Sequence, residues 1–218
     1  MISIIVPALE EAGGIVPVLA PLQAWRERGH EVVVVDGGSR DATVALAARL
    51  ADRVLVTPAG RARQMNAGAA VGRGDVLLFL HADTRLPAGA DADIARGLAR
   101  GSGWGRFDVR LAGRHPALRV IGAAINLRSR LGGMATGDQA LFLRRELFER
   151  VGGFPAVDLM EDLELSLRLR AQGPPLCLRG PAITSGRRWE RYGVVRTVLT
   201  MWWLRSAWAC GAAPAWLA

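Results

Sequence analysis

The run Val76-Leu77-Leu78-Phe79-Leu80 passes directly into His81-Ala82-Asp83-Thr84, and Pro87 closes the segment. Five consecutive apolar residues bounded by turn signals suit a strand buried on both faces, the habit of parallel sheets. Such a strand needs helices above and below it. Ligands of open α/β sheets bind where strands of this kind end. Asp83 therefore has two readings: it holds a divalent metal against phosphate oxygens, or it caps a turn.

The residues before it repeat the pattern. Ile2 to Val6 reads as a first strand ended by Pro7, Glu31 to Val35 as a second and Val54 to Val56 as a third. Helical spacing fills the gaps at Ile15 to Arg28, Asp41 to Leu50 and Arg63 to Val71. Four strand–helix alternations within about eighty residues predict a parallel, doubly wound sheet. After Pro87 the pattern loosens. Helix is expected over Ala88 to Arg100 and Arg144 to Val151, and strand over Trp104 to Leu111 and Ala140 to Leu143. Arg114 to Arg130 reads as a basic, apolar loop or helix. Glu161 to Ala171 alternates its leucines like a strand, but its Glu/Leu/Arg/Ala composition and acidic start favour a helix.

Composition excludes several chemistries. The formal net charge is +8, and every one of the 28 basic residues is arginine. Without lysine there is no P-loop, no Schiff base and no lysine nucleophile. No G-x-G-x-x-G follows the first strand, which argues against a dinucleotide oxidoreductase. A D-x-D-x-T phosphotransferase fails because His81 stands at the nucleophile position. One Tyr and five Phe make no base-stacking platform, so nucleic acid is not an expected partner. Cys177 and Cys210 lack metal spacing, and no charged-then-apolar leader opens the chain, so a reducing, cytoplasmic setting is expected.

Carboxylates and arginines collect after the strands: Glu10-Glu11, Asp36-Gly37-Gly38-Ser39, Gly60-Arg61 through Asn66-Ala67-Gly68, and Glu161-Asp162. Taken in order, Ser3 to Pro7, Val35 to Ser39, Asn66 to Gly68, Phe79 to Asp83 and Glu161-Asp162 resemble the family-2 glycosyltransferases of GT-A fold. The resemblance runs from residue 2 to about 192. The form F-L-H-A-D-T, followed by Gly137-Asp138-Gln139, is most similar to a small bacterial subgroup.

The resemblance implies an α/β GT-A domain over 1–192, with a mostly parallel Rossmann-like sheet and helices on both faces. A nucleotide half (1–86), an acceptor half (87–192) and an apolar tail (193–218) are implied. It also implies an inverting transfer from a nucleoside-diphosphate sugar, with Mg²⁺ or Mn²⁺ as cofactor. Pro7, Ala8, Glu10, Asp36, Arg61, Asn66 and His81 would meet the nucleotide, and Asp83 the metal. Asp162 would be the base, with Glu161 its neighbour. Asp138, Gln139, Arg187, Arg188 and Trp189 would lie by the sugars. His81 departs from the family's D-x-D, which leaves open a non-catalytic domain that binds nucleotide or a partner.

The segment Val194 to Ala218 carries only Arg196 and Arg205 as charges and four of the seven Trp. A span needs about 20 apolar residues, and Arg205, Gly211 and Pro214 interrupt this one. Two readings remain: an interfacial helix with a Trp belt, making peripheral contact with the inner membrane face, or a helix packed on the domain. An acceptor that is lipid-like or a small molecule is expected on the first reading.

Overall fold

The computed structural model describes residues 1–157 and 159–209. Eight strands form one sheet: β1 Ile2–Ala8, β2 Glu31–Asp36, β3 Arg53–Val56, β4 Val76–Phe79, β5 Thr84–Arg85, β6 Trp104–Ala112, β7 Phe142–Arg144 and β8 Leu176–Ser185. Ten α-helices accompany them among the described residues: α1 Ile15–Leu19, α2 Gln23–Glu27, α3 Thr43–Ala47, α4 Arg61–Val71, α5 Ala90–Ala99, α6 Ala117–Gly132, α7 Arg145–Arg150, α8 Glu161–Arg170, α9 Arg187–Tyr192 and α10 Val194–Ala209.

The spatial order is β3-β2-β1-β4-β7-β6-β8-β5. Pairing is parallel among β1, β2, β3 and β4 and again between β6 and β8. Strand β7 runs antiparallel to both its neighbours, and β5 antiparallel to β8. The alternation of strand side chains divides the core. Ile4 and Val6 of β1 and Leu78 of β4 join α1, α2 and α5 on one face. Ile5, Leu77 and Phe79 join α4, α7 and α8 on the other. Gly68 permits the second packing, because a Cβ there would lie 2.4 Å from the Ile5 side chain.

Several boundaries differ from the sequence reading. Pro7 does not end β1, which continues to Ala8 beside Val35 and Asp36. Beyond Ile5 the strand pairs only with β2, so a missing N–H costs nothing on the β4 side. The helix read over Ile15 to Arg28 is divided by a 3₁₀ turn at Ala20–Leu22 that contains Pro21. Strand β8 and helix α9 were not foreseen. Gly180 and Pro181 disguise β8, and they fall at an irregularity where the register on β6 shifts after Phe107. Glu161–Arg170 is helix.

One face of the tail helix packs on the domain. Trp189 of α9 is buried with Leu111 and Leu118, and Ile121, Val198 and Met201 pack against them. The opposite stripe of α10, Val195, Leu199, Trp202 and Trp203, stays exposed. No helix among the described residues is long and apolar enough to cross a membrane. Trp216 lies outside the described residues.

Candidate active site

The ends of β1 and β2 are laced together. The Gly37 N–H donates to the Ala8 carbonyl, 2.8 Å, and the Gln64 amide reaches from α4 to the carbonyls of Ala8 and Val35, 2.9 and 2.8 Å. In the following loops the Glu10 N–H donates to Ser39 Oγ, 2.8 Å, and the Arg40 N–H to the Glu10 carboxylate, 2.7 Å. Glu10 has φ 54°, a conformation that side chains seldom adopt. Asp36 is fully buried. Its Oδ2 accepts the N–H groups of Gly38 and Ser39 at 2.8 and 2.7 Å, and Ser39 Oγ donates to its Oδ1. Pro7 and Ala8 lie inside β1 rather than in a loop, so the first exposed group after the strand is Leu9-Glu10.

Asn66 lies on α4 and is engaged with the backbone. Its amide grips the backbone of Phe154, giving one hydrogen bond of 2.8 Å and accepting one of 3.0 Å. It clamps α4 to the loop before α8. Arg61, at the start of α4, crosses to Glu161 at 3.0 Å. Glu161 is 3% exposed while Arg61 is about half exposed. Burial pushes the Glu161 carboxyl above its ordinary value; Arg61 pulls it down and Asp162 pushes it up again.

Beyond β4 the chain turns through His81, Ala82 and Asp83 before β5 pairs with β8. Thr84 sits beside Thr184, and Thr184 Oγ1 lies 3.4 Å from Asp83 Oδ1. The unforeseen β8 thus delivers α9 to Asp83. Arg187 bridges Glu11, at 3.1 and 3.3 Å, and Asp83, at 3.8 Å. Glu11, beside Glu10 in the first carboxylate cluster, enters the site through this bridge. Trp189 turns the other way into the core and does not face the cleft.

His81 lies beneath the Gly137–Gln139 turn. A Cβ on Gly137 would fall 2.2 Å from His81 Nε2, so only glycine fits over the ring. That nitrogen is buried without a hydrogen-bond partner. Burial, with Arg61 and Arg188 nearby, pushes His81 down to about 3, so the ring is neutral. It borders a small, mostly apolar cavity with Met65, Phe79, Thr136, Glu161 and Asp162.

Asp162 opens α8. Its Oδ2 accepts the Gly137 N–H at 2.7 Å and its Oδ1 the Leu163 N–H at 2.8 Å. Asp138 accepts from Thr136 Oγ1. Burial raises its pKa, and the Asp162 charge adds to the rise against Thr136 and Arg128. Gln139 is fully buried; its Oε1 accepts the Thr136 N–H at 3.1 Å, closing a capping box, while its Nε2 has no partner. Arg128 of α6 lies within the field of Asp138 and Asp162 and was not singled out from sequence.

Among the described residues no three His, Cys, Asp or Glu side chains gather as a metal cage. Asp83 offers a partly exposed carboxylate just past the end of β4, while His81 Nε2 is buried under the Gly137 turn. One carboxylate suits a Mg²⁺-type ion that takes its remaining ligands from phosphates and water.

Carboxylates thus gather at the ends of the parallel strands, and a second carboxylate pair opens α8. The family model for glycosyl transferase family 2 matches residues 3–151. An uncharacterized glycosyltransferase of Mycobacterium tuberculosis (strain CDC 1551 / Oshkosh) is 30% identical over 193 residues, covering 82% of this chain and 72% of the relative. The chain belongs to glycosyl transferase family 2.

Solved structures support the GT-A fold. Staphylococcus aureus TarS 1-349 in complex with UDP-GlcNAc superposes with a TM-score of 0.69 at 18% identity, over 85% of this chain and 58% of that one. A mannosyltransferase from Pyrobaculum calidifontis, in complex with GDP-Man and Mn²⁺, gives 0.65 at 22% identity, over 94% and 60%. The chain spans about 60% of the length of these structures.

Proposed function

We propose that the chain transfers a sugar, with inversion, from a nucleoside-diphosphate sugar to an acceptor hydroxyl or carboxylate. One observation carries this reading: Asp162, held by two backbone N–H groups, lines one small cavity with His81, two residues before Asp83. On this reading residues 1–86 take the nucleotide and 87–192 the acceptor. The loops laced by Ser39 shape the base and ribose site, with Glu10 and Asp36 at its floor. Asp83 is the protein's ligand to Mg²⁺ or Mn²⁺, an ion that supplies charge neutralisation to a departing diphosphate.

The remaining work falls to the chain's own side chains. Arg187 and Arg188 begin α9 at the mouth of the cleft, and a guanidinium grips phosphate oxygens through two donors. Nucleotide binding would draw Arg187 from Glu11 and Asp83 toward the diphosphate. Asp162 takes the proton from the acceptor hydroxyl as its oxygen attacks the anomeric carbon from the side opposite the diphosphate. The Gly137 N–H aims the Asp162 carboxylate and leaves one face of it free. Glu161 pairs with Arg61 and holds the start of α8 in place.

A screen of UDP-, GDP- and TDP-sugars with Mn²⁺ or Mg²⁺ tests the reading. A matched donor raises apparent stability by mass action and is turned over when acceptor is added. Metal-dependent binding without hydrolysis or transfer, across the panel and with cell-extract acceptors, would favour the non-catalytic domain instead. Equal nucleotide affinity in EDTA and in Mn²⁺ would remove Asp83 from its metal role.

The exposed stripe of α10 supports a peripheral place on the inner membrane face and a lipid-like acceptor. Trp202 and Trp203 are 72% and 61% exposed, beside Val195, Leu199 and the exposed Arg191 and Arg196. Apolar burial and attraction to anionic headgroups are each modest, and together they hold a protein at a surface. Replacing Trp202 and Trp203 with Ala should abolish sedimentation with anionic vesicles while leaving the melting temperature nearly unchanged. Retained sedimentation would make the stripe irrelevant to membranes.

A further inference from the structure

Among the described residues Arg128 keeps two buried guanidinium nitrogens without a partner, and Arg106 keeps one. Arg128 projects from α6, and its Nε and Nη2 are the two atoms concerned. These two nitrogens lie on the same edge of the guanidinium. Their N–H bonds run parallel, the arrangement that takes both oxygens of a carboxylate or phosphate at once. Arg128 is half-buried as a residue, but this donor edge is fully buried, and buried donors left without a partner are costly to keep.

The nearby acids do not account for it. Asp138 and Asp162 are close enough to raise the guanidinium's pKa against the lowering effect of burial, but Arg128 makes no ion pair within 4.0 Å among the described residues. Asp162 accepts from the Gly137 and Leu163 N–H groups, and Asp138 from Thr136, but neither reaches Arg128. Arg106, the like charge on the other side, is engaged by Asp108 and the Asn126 carbonyl. Gln139 Nε2, next in the chain to Asp138, is a further buried donor without a partner. Donors are in surplus here, beside the group proposed as base.

We propose that Arg128 receives an anionic group, carboxylate or phosphate, on the acceptor, and so seats the acceptor's reacting oxygen against Asp162. This rests on the glycosyl-transfer reading for the identity of the ligand as acceptor, but not for the anion site itself. The acceptor class is then a compound with a negative group close to the oxygen that attacks. A neutral sugar or plain alcohol would leave the edge of Arg128 unfilled.

The test uses the full chain and measures anion binding apart from turnover. Lactate, glycerol 1-phosphate and uncharged glycerol are titrated while the melting temperature is followed. Both or one of the anions should stabilise the wild type at millimolar concentration and glycerol should not; the stronger anion tells carboxylate from phosphate. Arg128→Met should weaken the anion response at least tenfold. It should also raise the melting temperature of the ligand-free protein, because two unpaired buried donors have gone, whereas a structural arginine would lower it. Arg128→Lys, which keeps the charge without parallel donors, should recover little of the response. The inference is overturned if glycerol acts as well as the anions, if neither anion acts, or if Arg128→Met keeps the response or unfolds while Arg128→Lys binds like wild type. An Arg128-dependent anion response in a protein that uses no nucleotide sugar would sink the transfer reading and leave the anion site standing.

Discussion

The two sides of the cleft differ in how completely their polar groups are satisfied. On the β1–β2 side, Asp36, Ser39, Glu10 and Gln64 each find partners within the protein. On the β4–α8 side, His81 Nε2, Gln139 Nε2 and two nitrogens of Arg128 are buried without any. Buried polar groups normally pair, and exceptions gather where a ligand completes the set. The first side is a finished cradle whose shape is already set. The second keeps free binding capacity at a cost in stability.

The comparison makes its largest prediction at Asp162. Asp162→Asn should cut turnover by about 10²–10⁴-fold, the usual worth of a general base, with nucleotide binding close to wild type and a stability cost of about 1 kcal/mol, because the amide nitrogen cannot accept the second backbone N–H. Normal turnover would move the base elsewhere, and Asp138 is then the next to replace. On the opposite footing stands Asn66, a member of the saturated framework. Asn66→Ala breaks two bonds to the Phe154 backbone and should cost about 2 kcal/mol in chemical denaturation. A loss of nucleotide affinity at unchanged stability would restore it to the nucleotide site.

Glu161 sharpens the contrast through pH. Its folded pKa is raised, so its contribution to stability is full below the ordinary value of 4.5 and is lost as pH rises through the raised value. Relative to Glu161→Gln, the wild type should therefore lose stability as pH climbs above 4.5, by about 1.4 kcal/mol for each unit by which the pKa is raised. Urea midpoints for both proteins between pH 4 and 8 would read this, and parallel curves would refute it. The smallest effect belongs to Ser39. Ser39→Ala removes one link between the two loops and should cost about 1 kcal/mol, with a matching slackening of the nucleotide site.

The saturated side was the more legible one in the sequence. Apolar runs ended by Asp, Gly and Pro reveal β1, β2 and β4 because a strand buried on both faces leaves little freedom in composition. The order of Val35-Asp36-Gly37-Gly38-Ser39 and Phe79 to Asp83 was enough to name the family. What stayed hidden depends on long-range pairing. Strand β8 carries Gly180 and Pro181 and is recognisable only by its fit to β6 and β5. Trp189 looked like a cleft residue beside Arg187 and Arg188, yet a helix turns successive side chains about 100° apart, and this one faces Leu118. Arg128 was one arginine among 28, and only burial without partners sets it apart.

Pairing between Thr84 and Thr184 has a consequence for how the protein is made. The carboxylate of Asp83 leaves the ribosome about a hundred residues ahead of the strand that flanks it. At about 5–20 residues per second, that interval lasts roughly 5–20 s. During that time the parallel unit β1 to β4 can collapse, but β5 has no neighbour and Arg187 has not been made. The nascent chain thus leaves the surroundings of Asp83 incomplete until β8 threads between β6 and β5. Any mutation that slows this final insertion would deplete active protein while leaving the early half of the sheet intact, a loss visible in pulse-labelled yield sooner than in the equilibrium stability of the finished molecule.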